Sequence, residues 1–139
     1  MQVTQQQYYT PEEYLQLEEE AEYKSEYIDG QIIPMGGGTV NHARISLNLG
    51  SALNFAFRQQ NYEVFVGDVC LWISQKRIYT YSDVMIIAGE PEFFNNRQDI
   101  ITNPQIIVEV LSKSTKNYDY EDKFAAYRTM PTFQEYLFN

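Results

Sequence analysis

The chain has 139 residues, 44% of them hydrophobic and 15% aromatic, which suits one folded domain and excludes the intrinsically disordered class. Its formal net charge of −9 argues against a protein that coats nucleic acid, because phosphate binding is driven by cations, although a local basic groove is compatible with it. The apolar runs are all shorter than the ~18 residues of a membrane-spanning helix.

Two further features indicate a protein of the reducing cytoplasm. The N-terminal segment MQVTQQQ is polar, lacks a signal-peptide core and is expected to be flexible. The single cysteine, Cys70, cannot form an internal disulfide and is expected to be a small buried core residue. No internal repeat or low-complexity segment marks a boundary, so residues 1–139 are expected to form one domain.

Local signals in the first half of the chain predict a helix, a hairpin and a second helix. Thr10-Pro11-Glu12-Glu13 combines an N-cap, a proline at the first helical position and a capping box. Asp29-Gly30 between two apolar pairs predicts a β-hairpin. Apolar residues at helical spacing predict a long helix over residues 39–60, and Gly36-Gly37-Gly38 before it indicates a flexible turn. His42 leaves three readings open: a phosphate contact, a support for a neighbouring loop, or a residue without special function.

The second half predicts strands, a loop and a third helix. Residues 62–74 are predicted to form one strand with a bulge at Gly67-Asp68, and residues 89–104 a connecting loop with room for a short helical turn. The other predicted elements are a strand carrying Asp83, a strand over 106–111, a helix from Asp119 to about Thr129 with Tyr120, Phe124 and Tyr127 inward, and a strand over 133–138.

Two of these strands each carry a carboxylate in a largely apolar run. Asp83 lies in YSDVMIIA, and Glu109 lies in IIVEVL, where side-chain alternation puts Ile107, Glu109 and Leu111 on one face. Burying an ionised carboxylate is costly unless a cation or hydrogen-bond donors meet it. With Lys123 on the following helix, the pair could form a metal-dependent hydrolytic site. The alternative is that both carboxylates cap strand ends and accept from backbone donors.

The linked pattern resembles the Uma-type family of restriction endonuclease-like proteins, which belongs to the PD-(D/E)xK nuclease superfamily. The matching segments are EYIDG at 26–30, YSDV at 81–84, NPQIIVEVLSKST at 103–115, DKFAAY at 122–127 and EYL at 135–137. The resemblance implies an α/β (α+β), restriction-endonuclease-like fold with a mixed central β-sheet flanked by helices.

The resemblance also implies roles for individual residues. Asp83 and Glu109 would be the metal-binding carboxylates, and Glu26 would be an outlying acid of the same site. The superfamily usually places its lysine two residues after the second acid, where this chain has Leu111. In this family the lysine is displaced to the following helix, which points to Lys123 as the third catalytic residue.

Three departures from the family pattern accompany these roles. Ser82 stands where the family commonly has a proline before the first aspartate, and Lys113 stands where it usually has a proline between two serines. Neither change removes a metal ligand. The family commonly continues further, so the C-terminus is expected to be truncated relative to it.

The resulting hypothesis is a Mg²⁺-dependent (or Mn²⁺-dependent) endonuclease that acts on DNA, with no membrane association. Lys113, Lys116 and Arg128 could contact the DNA backbone. The alternative function is a non-catalytic interaction module built on a nuclease fold, and an RNA-directed enzyme is not separated from the first reading. A two-fold homodimer is expected, because one site cuts one strand and the 12 tyrosines and 8 phenylalanines leave material for an interface.

Overall fold

The computed structural model describes residues 7–110 and 120–138, which form three α-helices and ten strands within these ranges. The helices are α1 (Pro11–Glu20), α2 (Val40–Phe57) and α3 (Tyr120–Tyr127). The strands are β1 (Ser25–Ile28), β2 (Gln31–Pro34), β3 (Tyr62–Val66), β4 (Cys70–Ile73), β5 (Ile78–Tyr81), β6 (Val84–Ala88), β7 (Phe93–Phe94), β8 (Arg97–Ile101), β9 (Ile106–Glu109) and β10 (Glu135–Phe138).

The strands divide between two sheets. One has six strands in the order β2-β1-β5-β4-β8-β7, and the other has four in the order β10-β9-β6-β3. Both sheets are mixed, because β4 pairs parallel with β8 and β9 pairs parallel with β10, while the other pairs are antiparallel. The predicted α/β class with mixed strands and flanking helices is confirmed, although the strands form two sheets instead of one central sheet.

The local signals in the first half of the chain fold as predicted. The Thr10 hydroxyl accepts from the Glu13 N–H and the Glu13 carboxylate accepts from the Thr10 N–H, both at 3.1 Å, which completes the capping box. Asp29 and Gly30 join β1 to β2 with φ of 42° and 98°, which suits the tight turn of a two-residue hairpin. Thr39 caps α2, since its hydroxyl accepts from the N–H of His42 at 3.1 Å.

A bent hairpin runs from β3 to β6 and connects the two sheets. Its outer half pairs β3 with β6 in the four-stranded sheet, and its inner half pairs β4 with β5 in the six-stranded sheet. Between the halves, residues 67–69 face only residues 82–83, so the bulge predicted at Gly67-Asp68 is present. The prediction of one strand over residues 62–74 is wrong, because the bulge bends the chain from one sheet into the other. Asp83 lies at this bend.

The segment predicted as a connecting loop, residues 89–104, contains two strands. Asn95 and Asn96 both adopt positive φ (48° and 60°) and turn β7 back onto β8. β8 then pairs parallel with β4 in the middle of the chain. The loop prediction is wrong because β7 has only two residues and β8 pairs with a strand distant in the sequence, so neither leaves a clear local pattern.

Two clusters of buried side chains form the core. One lies between the strands and α3 and includes Leu71, Met85, Ile87, Ile107 and Tyr127. The other packs α1 on the six-stranded sheet through three buried tyrosines, Tyr14, Tyr27 and Tyr79, whose ring centroids lie 5.2–6.0 Å apart. Cys70 is buried in this second cluster, as expected.

Helices α2 and α3 bury fewer of their apolar side chains than the sequence predicts. On α3, Tyr127 is fully buried, but Phe124 is 43% exposed, and the side chain of Tyr120 lies outside the described residues. On α2, Gly50 is the one buried residue, because it lies against β3: a Cβ there would meet Cγ1 of Val66 at 2.8 Å. None of the described helices is long and apolar enough to cross a membrane.

Candidate functional site

The pairing of β6 with β9 brings Asp83 and Glu109 to neighbouring positions. The two strands are antiparallel with Val84 opposite Val108, so the same register continued by one residue puts Asp83 opposite Glu109. Asp83 immediately precedes β6, and its carboxylate lies near enough to Glu109 to raise the pKa of that group. The backbone N–H of Val110 donates to Asp83 Oδ2 at 2.6 Å. The prediction that the two carboxylate strands are neighbours is confirmed.

Glu109 is held in a buried, mostly apolar setting. It is 9% exposed, and the hydroxyl of Tyr127 donates to its Oε1 at 3.1 Å. Burial raises the pKa of Glu109 to about 7, against the lowering effect of the nearby Lys123 cation, and the Asp83 carboxylate raises it further. A carboxyl with this pKa is poised between its two forms at neutral pH, so an added cation beside it would favour the ionised form.

Lys123 reaches the same point from α3. Its amine lies 3.6 Å from Glu109 Oε1 and 3.7 Å from Glu26 Oε1. The side chain is 14% exposed, because Lys123 and Tyr127 are four residues apart and share the helix face that packs on the sheet. The amine therefore lies beside one of the two strand acids, as the displaced-lysine prediction requires, and its catalytic role stays a prediction.

Glu26, on β1, places a further carboxylate beside Lys123. It is 6% exposed, and among the described residues its Oε2 has no hydrogen-bond partner. A buried carboxylate oxygen without a donor is costly, so this atom suits a cation or water ligand. Lys123 thus lies within ion-pair distance of both Glu26 and Glu109.

The chemistry of these side chains fits a hard divalent cation. Carboxylate oxygens are the ligands that Mg²⁺ and Mn²⁺ prefer, and Mg²⁺ usually keeps several waters and takes only one or two protein carboxylates. Within the described residues, no three histidine, cysteine or acidic side chains are grouped closely enough to enclose an ion. The chemistry of these residues therefore fits an open site, and the ligand roles of Asp83, Glu109 and Glu26 stay predictions.

His42 is a neighbour of the site whose contact with Asp83 the sequence did not predict. Its Nε2 lies 3.1 Å from Asp83 Oδ1, and both side chains are about one-fifth exposed, at 22% and 21%. They line an open cleft of about 550 Å³ together with Lys24, Leu47 and Val66. The signal that could have pointed to His42 is its place in the first turn of a helix that follows a glycine run and a threonine cap.

Of the three predicted DNA-contacting residues, one lies within the described ranges and two lie outside them. Arg128 is exposed at the end of α3, with its guanidinium 5.4 Å from the ring centroid of Phe124. Lys113 and Lys116 lie outside the described residues, as do Leu111 and Asp119, so their roles stay predictions.

The fold has a counterpart among solved structures. A crystal structure of "a putative nuclease belonging to DUF820" from Anabaena variabilis superposes with a TM-score of 0.72 at 21% identity, covering 86% of this chain and 68% of that one. This likeness confirms the predicted fold.

The sequence comparisons identify the family. Residues 11–139 match the Uma2 family, described as "Putative restriction endonuclease", and the chain belongs to it. Two relatives from Synechocystis sp., the uncharacterized proteins sll1609 and slr1290, are 49% and 41% identical to the chain over 128 residues. Those alignments cover 92% of this chain but only 72% and 66% of the relatives.

Proposed function

We propose that the chain is a metal-dependent endonuclease domain that hydrolyses phosphodiester bonds in DNA with Mg²⁺ or Mn²⁺. The observation that carries the proposal is that the pairing of β6 with β9 brings Asp83 beside the Glu109–Val110 segment, with the Lys123 amine 3.6 Å from Glu109. Two carboxylates can hold a divalent ion, and a cation beside them can stabilise the negative charge that develops on the phosphate during hydrolysis. Membership of the Uma2 family adds support.

Each residue would have a separate part in the reaction. Asp83 and Glu109 would hold the ion through their carboxylate oxygens, and Tyr127 would fix the orientation of Glu109 by its hydrogen bond. When bound, the ion supplies charge neutralisation at the phosphate and an acidified water. Lys123 would present its positive charge to the negative charge that develops on the phosphoryl oxygens.

DNA would be held by positively charged side chains outside the group formed by Asp83, Glu109 and Lys123. Arg128 is exposed and, with Lys113 and Lys116, would contact the phosphate backbone. Against a net charge of −9, such binding should depend on these few residues and fall steeply with added salt.

A non-catalytic interaction module is the second candidate, and one observation favours it. Val40, Leu47 and Phe55 of α2 are 64–67% exposed, an unusual fraction for large apolar side chains on one helix.

We also propose a two-fold dimer, because paired sites would cut both strands. Light scattering at high protein concentration tests the dimer, and a monomer there would contradict it.

A cleavage assay tests the enzymatic proposal. Supercoiled plasmid, single-stranded DNA and RNA would be incubated with the protein in Mg²⁺, in Mn²⁺ and in EDTA. The proposal predicts cleavage of DNA in either metal and none in EDTA. Cleavage of RNA alone would show that the substrate is RNA and not DNA. If no nucleic acid is cleaved or bound at low salt, the interaction module becomes the better reading.

A further inference from the structure

The Asp83 carboxylate is held from two sides by the protein. Val110 donates its backbone N–H to Oδ2 at 2.6 Å, and His42 Nε2 lies 3.1 Å from Oδ1. Asp83 lies at the bend of the β3–β6 hairpin, where the regular ladder between strands is interrupted. The backbone N–H of Val110 and the imidazole of His42 are therefore placed to hold an orientation that the sheet does not impose.

The start of α2 is built so that the imidazole can reach this carboxylate. The Thr39 hydroxyl accepts from the backbone N–H of His42 at 3.1 Å, which fixes the first turn of the helix. Gly38 lies directly against the ring: a Cβ there would be 2.9 Å from Nδ1 of His42 and 3.3 Å from its Cγ. At Gly37, by contrast, a Cβ would meet nothing within 4 Å. The absence of a side chain at position 38 leaves the space that the imidazole needs.

We propose that His42 is a positioning residue for Asp83 and that Gly38 is required for it to act. This inference rests on the proposed metal-dependent function. A carboxylate offers about four lone-pair positions on its two oxygens. His42 and Val110 take one each, which fixes the plane of the group and leaves the other positions for a cation. In this arrangement Nε2 of His42 would donate to Oδ1 of Asp83.

Two substitutions separate the contact of His42 Nε2 with Asp83 from the bulk of the imidazole. In His42→Gln the amide nitrogen falls close to the place of Nε2, whereas in His42→Asn it falls close to the place of Nδ1 and does not reach Asp83. We expect His42→Ala and His42→Asn to lower kcat and raise the Kd for Mn²⁺ by ~10- to 100-fold, the range typical of residues that orient a metal ligand. His42→Gln should recover most of both. Equal losses in the glutamine and asparagine variants, or none in His42→Ala, would overturn the proposal.

The glycine run provides a matched pair that leaves the histidine intact. Gly38→Ala should push the imidazole away from Asp83 and give the same losses as His42→Asn. Gly37→Ala should give wild-type kcat and Kd, since its methyl group enters open space. Wild-type values for Gly38→Ala, with unchanged thermal unfolding in both variants, would contradict the proposal.

The metal-free protein gives a readout that does not depend on cleavage. The chain has one histidine, so the imidazole ¹⁵N spectrum contains only the resonances of His42. Asp83→Ala and Gly38→Ala should each shift the Nε2 resonance, and Gly37→Ala should leave it in place. An unshifted resonance in Asp83→Ala would refute the contact even if the enzyme cleaves DNA. A shifted resonance together with lost Mn²⁺ affinity would support it even if no nucleic acid is cleaved.

Discussion

The buried carboxyl of Glu109 should make the metal-free protein less stable as the pH rises. Its pKa is about 7 in the folded chain against an ordinary value of 4.5. Because the folded-state pKa is the higher one, its contribution to stability is complete below pH 4.5 and is lost as the pH rises through about 7. At 1.36 kcal/mol per pKa unit the whole effect is about 3 kcal/mol, of which roughly 2 to 3 kcal/mol falls between pH 5 and pH 8.

Denaturant unfolding of Glu109→Gln at these two pH values isolates this contribution. The variant lacks the titrating group, so its free energy of unfolding should fall by roughly 2 to 3 kcal/mol less than that of the wild type between pH 5 and pH 8. Glu63→Gln is the control, because Glu63 is exposed on β3 and its replacement should leave the wild-type pH profile. Parallel profiles for wild type and Glu109→Gln would refute the reasoning that burial raises this pKa.

The same measurement connects the buried acid to metal binding. Mg²⁺ added at pH 8 to ten times its Kd should stabilise the wild type by about 1.4 kcal/mol, the linkage expected for a ligand that binds only the folded state. Glu109→Gln should lose this stabilisation, since it lacks one of the two principal ligands. Equal Mg²⁺ stabilisation in both proteins would show that Glu109 is not a ligand.

Two other predictions concern Lys123 and α2. Lys123→Met should lower the cleavage rate by ~100-fold or more, because one electrostatic donor beside the reacting phosphate is lost, while Mn²⁺ binding measured by calorimetry should largely survive. The control is Lys76→Met, at an exposed lysine, which should cleave normally. Normal cleavage by Lys123→Met would contradict the proposed role of Lys123. Gly50→Ala should destabilise the protein by ~1 kcal/mol despite the better helix propensity of alanine, because the methyl group would meet Val66 at 2.8 Å. In a Val66→Ala background, Gly50→Ala should raise the free energy of unfolding, measured by thermal unfolding, by ~1 kcal/mol. A lower free energy of unfolding there would contradict the steric explanation.

The parts of the fold that were predicted correctly are those with a local physical cause. The capping box at Thr10 and the hairpin at Asp29-Gly30 depend on residues within one turn of each other, so the sequence alone specifies them. The strands within residues 89–104 were missed because β8 is defined by its parallel pairing with β4, far away in the chain. The bulge at Gly67-Asp68 was predicted, but its consequence, a change of sheet, depends on which strands lie beyond it.

The candidate site likewise has residues that the sequence pointed to and a contact that it could not predict. Asp83 and Glu109 were proposed because acids in apolar strands are costly, Lys123 because its helix follows the second strand, and the family resemblance added Glu26. The contact of His42 with Asp83 could not be predicted, because it joins the start of a helix to the bend of a hairpin and has no fixed spacing in the sequence. Only the assembled fold brings these two side chains within 3.1 Å of each other.

Metal-dependent cleavage by the wild type and by Asp83→Ala, measured side by side on supercoiled plasmid, tests the central claim most directly. Removing a principal metal ligand should cost several kcal/mol of transition-state stabilisation, a loss of at least ~100-fold in rate. The account predicts Mg²⁺-dependent nicking or linearisation by the wild type, and no cleavage above background by Asp83→Ala under the same conditions. Equal cleavage by the two proteins, or cleavage by the wild type that persists in EDTA, would contradict it.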